Sequence, residues 1–253
     1  MTRPIAILSS MDQEIRMIED RLDSTGAEVF HGRRFCQGTI HGVQVVTAIS
    51  GYGKVGAAAT TATAIEAFDA AAVIFGGVAG GIRPDVNIGD IVIGNRLVQH
   101  DFDASPIFER YVIPSLGTAE IAADPDLTEQ VAAAADRYIS TRARSEIADI
   151  PEALFEIEQM KILRGLIASG DRFIGSLAEA ATLQGELPDV LAVEMEGAAV
   201  AQVCRESDVP FAVFRSISDR SDQDAEFDFM AFVASVAAPL TAGIIDEWAR
   251  ALS

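Results

Sequence analysis

The chain has 253 residues, 49% of them hydrophobic, enough apolar matter for one large core. Its 19 Lys and Arg face 38 Asp and Glu, a net charge of −19, so it lacks the basic face that nucleic acid or an anionic membrane would require. No apolar run reaches the roughly 18 residues of a membrane span, the start MTRPIAILSS has too short an apolar core for a signal peptide, and Cys36 and Cys204 lie far apart in apolar stretches. Two buried free thiols and a cytoplasmic protein are expected.

Short apolar runs bounded by Gly, Pro, Ser or Asp alternate with helical patterns along the chain. A strand from Ile5 to Leu8 leads into a helix from Asp12 to Leu22, and a strand from Val43 to Ile49 into a helix from Lys54 to Phe68. Strands follow at Ala72 to Phe75 and Asp90 to Ile93. Asp101 to Leu127, with Pro106, Pro114, Gly117, Phe108 and Tyr111, reads as a long loop of the kind that serves function or an interface. The remainder predicts helices at Leu127 to Arg137, Glu196 to Asp208 and Asp228 to Ala249, and strands at Ile162 to Ala168 and Phe211 to Phe214. This alternation predicts a single α/β domain with a mainly parallel sheet and helices on both faces.

In such sheets ligands bind beyond the carboxyl ends of strands. After the first strand comes Ser9-Ser10-Met11-Asp12-Gln13-Glu14, where Glu14 either faces a ligand or complements the helix dipole. After the second comes Ser50-Gly51-Tyr52-Gly53-Lys54, a tight turn that matches neither a Walker pattern nor a dinucleotide fingerprint. Gly76, Gly77, Gly80 and Gly81 imply positive φ angles or close backbone approach. Between Val193 and Asp219 two acids, Glu196 and Asp219, stand at a helix start and beyond a buried strand. Asp219 is open to three readings: a turn cap, a partner of Arg215 or Arg220, or an acid whose pKa rises near a ligand. His31, His41 and His100 have no paired spacing for zinc, and neither metal nor cofactor is expected.

Six segments carry a family resemblance: IAILSSMDQEI from Ile5, SGYGKVGAA from Ser50, GGVAGGIRPDVNIGDIVIG from Gly76, GLIASGDRFI from Gly165, AVEMEGAAVAQVC from Ala192 and VPFAVFRSISD from Val209. In this order and spacing the chain resembles the nucleoside phosphorylase superfamily, and within it the 5′-methylthioadenosine/S-adenosylhomocysteine nucleosidases. The resemblance implies a three-layer αβα domain spanning 1–253 and hydrolysis of the N-glycosidic bond of 5′-thio adenine nucleosides, through a ribosyl cation. It further implies that Asp219 protonates the purine with Ser218 orienting it, that Glu14 activates water, and that Glu196 holds the ribose hydroxyls beside Met195. Arg215 would order the polar network, Phe173 and Ile174 would hold the purine, and Tyr52 and Phe229 would border the sugar and its 5′ group.

Three departures accompany the resemblance. Val78 stands where the family often has Ser, Asp12 and Gln13 replace two acids before Glu14, and the loop from Asp101 to Gly117 differs from the common form. In relatives that region of the partner subunit closes the 5′ pocket, so a homodimer with the Phe108 to Leu116 loop at its interface is implied. Alternatives are a purine nucleoside phosphorylase, a nucleosidase for 5′-deoxyadenosine or aminodeoxyfutalosine, and a nucleoside-binding protein without catalysis.

Overall fold

The computed structural model describes residues 3–147, 159–219 and 232–253. Its most apolar runs become the centre of the sheet: β1 (Ile5–Ser9) pairs in parallel with both β4 (Val43–Ile49) and β5 (Ala72–Phe75). Around them lie β2 (Asp23–Phe30), β3 (Arg33–Ile40), β6 (Val78–Gly81), β7 (Ile91–Gln99), β8 (Glu120–Ala122), β9 (Ile162–Ser169), β10 (Val190–Glu194) and β11 (Phe211–Asp219). The eleven strands form one sheet in the order β2-β3-β4-β1-β5-β11-β6-β10-β9-β7-β8. Because β7 also pairs with β11, strands β11, β6, β10, β9 and β7 close a ring at one end of the sheet. Parallel and antiparallel pairings mix throughout.

Helices cover both faces. The helices α2 (Lys54–Phe68) and α5 (Gly197–Glu206) pack with one apolar cluster that includes Phe75, Val92 and Val213. On the other face α1 (Asp12–Glu19), α3 (Pro125–Tyr138) and α6 (Ala238–Arg250) surround Ile74, Ile93 and Phe214. A smaller cluster gathers under α4 (Leu177–Glu186). This is the expected three-layer arrangement. Both cysteines are buried and free, and among the described residues no helix is long and apolar enough to cross a membrane.

Several elements differ from the sequence reading, each for a local reason. The stretch from Asp23 to Ile40 forms two strands, joined to each other by the two-residue turn His31-Gly32 and to β4 by His41-Gly42. All four turn residues have positive φ, between 48° and 82°, as tight hairpin turns require. β2 is almost wholly exposed, so its apolar alternation is too weak to announce it. Strand β11 runs on through Arg215-Ser216-Ile217-Ser218 to Asp219, because these polar residues are buried and pair with β6 and β7. Helix α4 begins at an N-cap, Ser176, whose hydroxyl accepts from the Glu179 N–H and donates to the Glu179 carboxylate. The expected loop from Asp101 contains β8 and an Ile113–Thr118 bridge. The expected helix start at Asp228 lies outside the described residues.

Glycines 76, 77, 80 and 81 have ordinary φ, contrary to one of the two reasons proposed for them. At Gly76 and Gly81 close approach is the reason that holds. A Cβ on Gly76 would sit 2.7 Å from the Phe214 ring, and one on Gly81 would sit 3.2 Å from Val86.

Candidate active site

Beyond the carboxyl ends of β1, β4, β9, β10 and β11 lies a pocket of about 200 Å³. It is lined by Ser10, Met11, Tyr52, Val78–Gly80, Arg172, Phe173, Ile174, Val193–Glu196, Ser218 and Asp219. Thus the wall carries eight of the eleven residues singled out from sequence: Asp219, Ser218, Glu196, Met195, Phe173, Ile174, Val78 and Tyr52. Glu14 and Arg215 lie behind the wall, and Phe229 lies outside the described residues.

Glu14 is fully buried in α1. The Ser9 hydroxyl donates to one of its carboxylate oxygens, and Thr241 of α6 donates to the other at 3.2 Å. Burial pushes its carboxyl above the usual carboxylate range, opposed by the Ser9 bond, the positive charge of Arg215 and the Thr241 bond. The dipole reading of this acid is therefore incomplete, since the side chain turns inward to a hydroxyl pair.

Glu194 and Glu196 flank Met195 and take different partners. The Glu194 carboxylate meets Arg215 at 2.6 Å, with the two side chains 3% and 1% exposed. It also accepts the backbone N–H groups of Glu196 and Gly197 at 2.8–3.0 Å and the Ser169 hydroxyl. Helix α5 starts at Gly197, so Glu194 satisfies donors that an opening helix leaves free. Glu196 reaches across to accept the Gly53 N–H at 2.7 Å. Burial, and next the negative charge of Glu194, raise the Glu196 carboxyl to about 7, against the pull of Arg215 and the backbone N–H groups.

Arg215 is committed on several sides. Its Nη1 donates to the carbonyls of Phe214 and Phe75 at 3.0 and 3.2 Å, and its guanidinium stacks 4.4 Å from the Phe75 ring. Its ion pair is with Glu194. Ser218 donates to the Asp219 carboxylate at 2.8 Å. Phe173 is half exposed and Ile174 buried, while Tyr52 is 68% exposed at the pocket mouth.

A profile of the phosphorylase superfamily matches residues 4–250. The chain belongs to that superfamily. A 5′-methylthioadenosine/S-adenosylhomocysteine nucleosidase of Anoxybacillus flavithermus is 34% identical over 233 residues, 92% of each chain. The crystal structure of the nucleosidase of that kind from Neisseria meningitidis, in complex with methylthio-immucillin-A, superposes with a TM-score of 0.86 at 32% identity. It covers 99% of this chain and 100% of that one. A futalosine hydrolase of Helicobacter pylori strain 26695 gives a TM-score of 0.83 at 31% identity and covers 98% of both chains.

Within this superfamily fold the sequence reading gives no role to four residues that shape the site. Glu194, Ser169, Ser9 and Thr241 hold the acids or the cation behind the pocket wall. Glu194 carried a readable signal, an acid at the end of an apolar strand just ahead of a helix start. Ser9 and Thr241 carried none, because a hydroxyl gains meaning only from what the fold sets beside it.

Proposed function

We propose that this protein is an N-glycosyl hydrolase that cleaves adenine nucleosides bearing a 5′-thio substituent, 5′-methylthioadenosine and S-adenosylhomocysteine, into adenine and the thioribose. The carrying observation is that Glu196 and Asp219 line one largely apolar pocket with Glu14 buried behind it. The family match and the nucleosidase relatives support it.

Cleavage separates a purine, which needs a proton as it leaves, from a sugar that becomes cationic. Asp219, oriented by Ser218, gives the proton to the purine N7. Glu196 accepts the ribose hydroxyls, and its negative charge favours the sugar cation. Glu14, raised by burial, takes a proton from the attacking water, which a carboxylate of ordinary pKa does poorly at neutral pH. Phe173 stacks on the purine, Ile174 presents its backbone to the purine edge, and Met195 and Tyr52 bound the sugar and its substituent. Each buried CH₂ of a 5′ thioether contributes about 0.8 kcal/mol.

Water, and not phosphate, is the nucleophile in this reading. Among the described residues three acids, Glu194, Glu196 and Asp219, line the pocket against one cation, Arg172, and Arg172 lies 3.5 Å from Glu179. Arg215 is already neutralised by Glu194. A phosphate dianion needs free cationic or backbone donors. Adenine release from methylthioadenosine is expected to proceed equally with and without phosphate, and strict phosphate dependence would sink the reading.

The futalosine hydrolase likeness favours a second reading at the 5′ end only, in which a larger substituent is accepted. A panel of methylthioadenosine, S-adenosylhomocysteine, 5′-deoxyadenosine, aminodeoxyfutalosine and adenosine separates the two by kcat/KM.

The working unit in this proposal is a cytoplasmic homodimer. Residues 101–118 contribute nothing to the pocket wall of their own subunit, while Ile107 and Phe108 are 81% and 43% exposed. Apolar anchors of this type suit an interface. Sedimentation at micromolar concentration is expected to give a dimer, and a fully active monomer refutes it.

A further inference from the structure

Two segments that build the pocket meet a third, which does not line it, in a polar ring outside the pocket. The turn after β4 carries Tyr52 and the Gly53 N–H that holds Glu196. The segment after β9 carries Arg172, Phe173 and Ile174. The end of β7 carries Gln99 and Asp101. The Lys54 ammonium donates to Asp101 at 2.5 Å and to the Gln99 side chain at 3.2 Å. The Lys54 backbone N–H donates to the Asp171 carboxylate at 2.8 Å, and the Asp171 N–H donates to the Asp101 carboxylate at 2.8 Å. The ring therefore closes on itself, with one ammonium and two backbone donors shared between two carboxylates.

We propose that Lys54, Asp101 and Asp171 are positioning residues that lock the Gly53 turn against the 171–174 segment and so set the Glu196 carboxylate in register with the purine wall. Lys54 immediately follows the residue that bonds Glu196, and Asp171 stands two residues before Phe173. Gly53 leaves no slack between them: its φ is +84°, and a Cβ there would lie 3.0 Å from the Asp171 carboxylate. Only two of the 19 cationic residues are lysines. The Lys54 side chain is 16% exposed, and its site suits a compact ammonium between Gln99 and Asp101 better than a planar guanidinium fork. Burial would raise the Asp101 carboxyl, but Lys54 and the Asp171 N–H outweigh it and hold it below the usual range, so the ring stays charged.

This inference rests on the proposed nucleosidase function, and its test separates the two. Lys54→Met is expected to lower kcat/KM for methylthioadenosine at least tenfold, and Lys54→Met/Asp101→Asn to lower it no further, because both break one ring. Lys54→Cys treated with 2-bromoethylamine regains an ammonium at nearly the original distance and is expected to recover at least half of the lost activity. Cys36 and Cys204 are buried thiols with raised pKa and stay unmodified. A merely structural residue would give additive losses and no chemical rescue. Should Lys54→Met not fold, Asp171→Asn, half exposed, decides by the same tenfold criterion. Unchanged kcat/KM, additive losses or absent rescue each overturn the proposal. A wild type that hydrolyses no methylthioadenosine sinks the proposed function instead. The ring is then judged by adenine binding in calorimetry: a tenfold weaker Kd in Lys54→Met supports it, and an unchanged Kd overturns it.

Discussion

Arg215→Met is the sharpest probe of how the site is held. Methionine keeps the length and apolar stem of arginine but removes its charge and donors. In the native fold the Arg215 and Glu194 side chains are 1% and 3% exposed and 2.6 Å apart, so the substitution strands a buried carboxylate. Breaking a buried pair from one side costs about 3–5 kcal/mol, far more than the pair contributes relative to a neutral replacement of both partners. With an unfolding entropy of about 2.1 cal/mol/K per residue, the whole chain unfolds with ~0.5 kcal/mol/K, so the expected fall in Tm is ~6–10 °C. The control is Arg215→Met/Glu194→Gln. It removes both charges yet keeps an acceptor for the Glu196 and Gly197 N–H groups and for Ser169. More than half of the lost stability is expected to return. Calorimetric scans of the wild type, both single variants and the double variant close the cycle. An Arg215→Met protein within about 2 °C of wild type, roughly 1 kcal/mol, refutes the reasoning. The same variant carries a kinetic signature, because Arg215 pulls down the pKa of both Glu14 and Glu196. The acidic limb of kcat/KM against pH is expected to move upward.

Asp219→Asn is expected to lower kcat by about 10²–10⁴-fold, the range of a lost general acid, while binding of a substrate analogue changes little. Turnover within threefold of wild type would remove Asp219 from that role. Stability has a pH dependence of known sign at Glu196. Its carboxyl titrates near 4.5 when unfolded and at about 7 when folded. The fold therefore binds the extra proton between these values, and its contribution is present below about 4.5 and lost as pH rises through about 7. The change is about 3 kcal/mol at 1.36 kcal/mol per unit. Chemical denaturation across pH 5–8 should show that slope flattened in Glu196→Gln, and an identical slope in both proteins contradicts it. Gly170→Ala brings a Cβ within 2.2 Å of His100 Nε2, a buried atom without a partner among the described residues. Displacing that ring is expected to cost about 1–3 kcal/mol, the range for overpacking, read as a lower Tm.

The layers of the fold were legible because they depend on runs of apolar residues. Ile5–Leu8, Val43–Ile49 and Ala72–Phe75 lie at the sheet centre and are buried on both faces, so their character shows in the residues themselves. Strands β2 and β3 escaped because β2 buries almost nothing, and His-Gly is a less familiar hairpin turn than Asn-Gly or Asp-Gly. The continuation of β11 escaped for the opposite reason: Arg215, Ser216 and Ser218 look like a surface loop but are buried. Their partners come from β5, β6 and β10, distant in sequence. Glu14, Glu196 and Asp219 were found through motifs. Lys54 reads from sequence only as the end of a tight turn, since its meaning comes from Asp101 and Asp171, 47 and 117 positions away.

The electrostatic design of the pocket gives a last prediction. A carboxyl raised to about 7 by burial and by Glu194 is costly to ionise beside a neutral nucleoside. A cation developing on the ribose lowers that cost, so Glu196 favours the transition state over the ground state, which is the condition for accelerating the chemical step. An analogue whose ring nitrogen stays protonated from pH 5.5 to 8.5 should exploit this and a neutral isostere should not. The ratio of their affinities is expected to rise with pH and level off above about 7, by roughly tenfold or more for each 1.4 kcal/mol of charge attraction. Asp219 faces both analogues alike, so the ratio cancels its direct effect on the base. Glu196→Gln is expected to flatten the ratio. A ratio that is flat in the wild type, or that rises equally in Glu196→Gln, means that the charge favouring the cation resides elsewhere in the site, with Glu14, Glu194 and Asp219 as the remaining acids among the described residues.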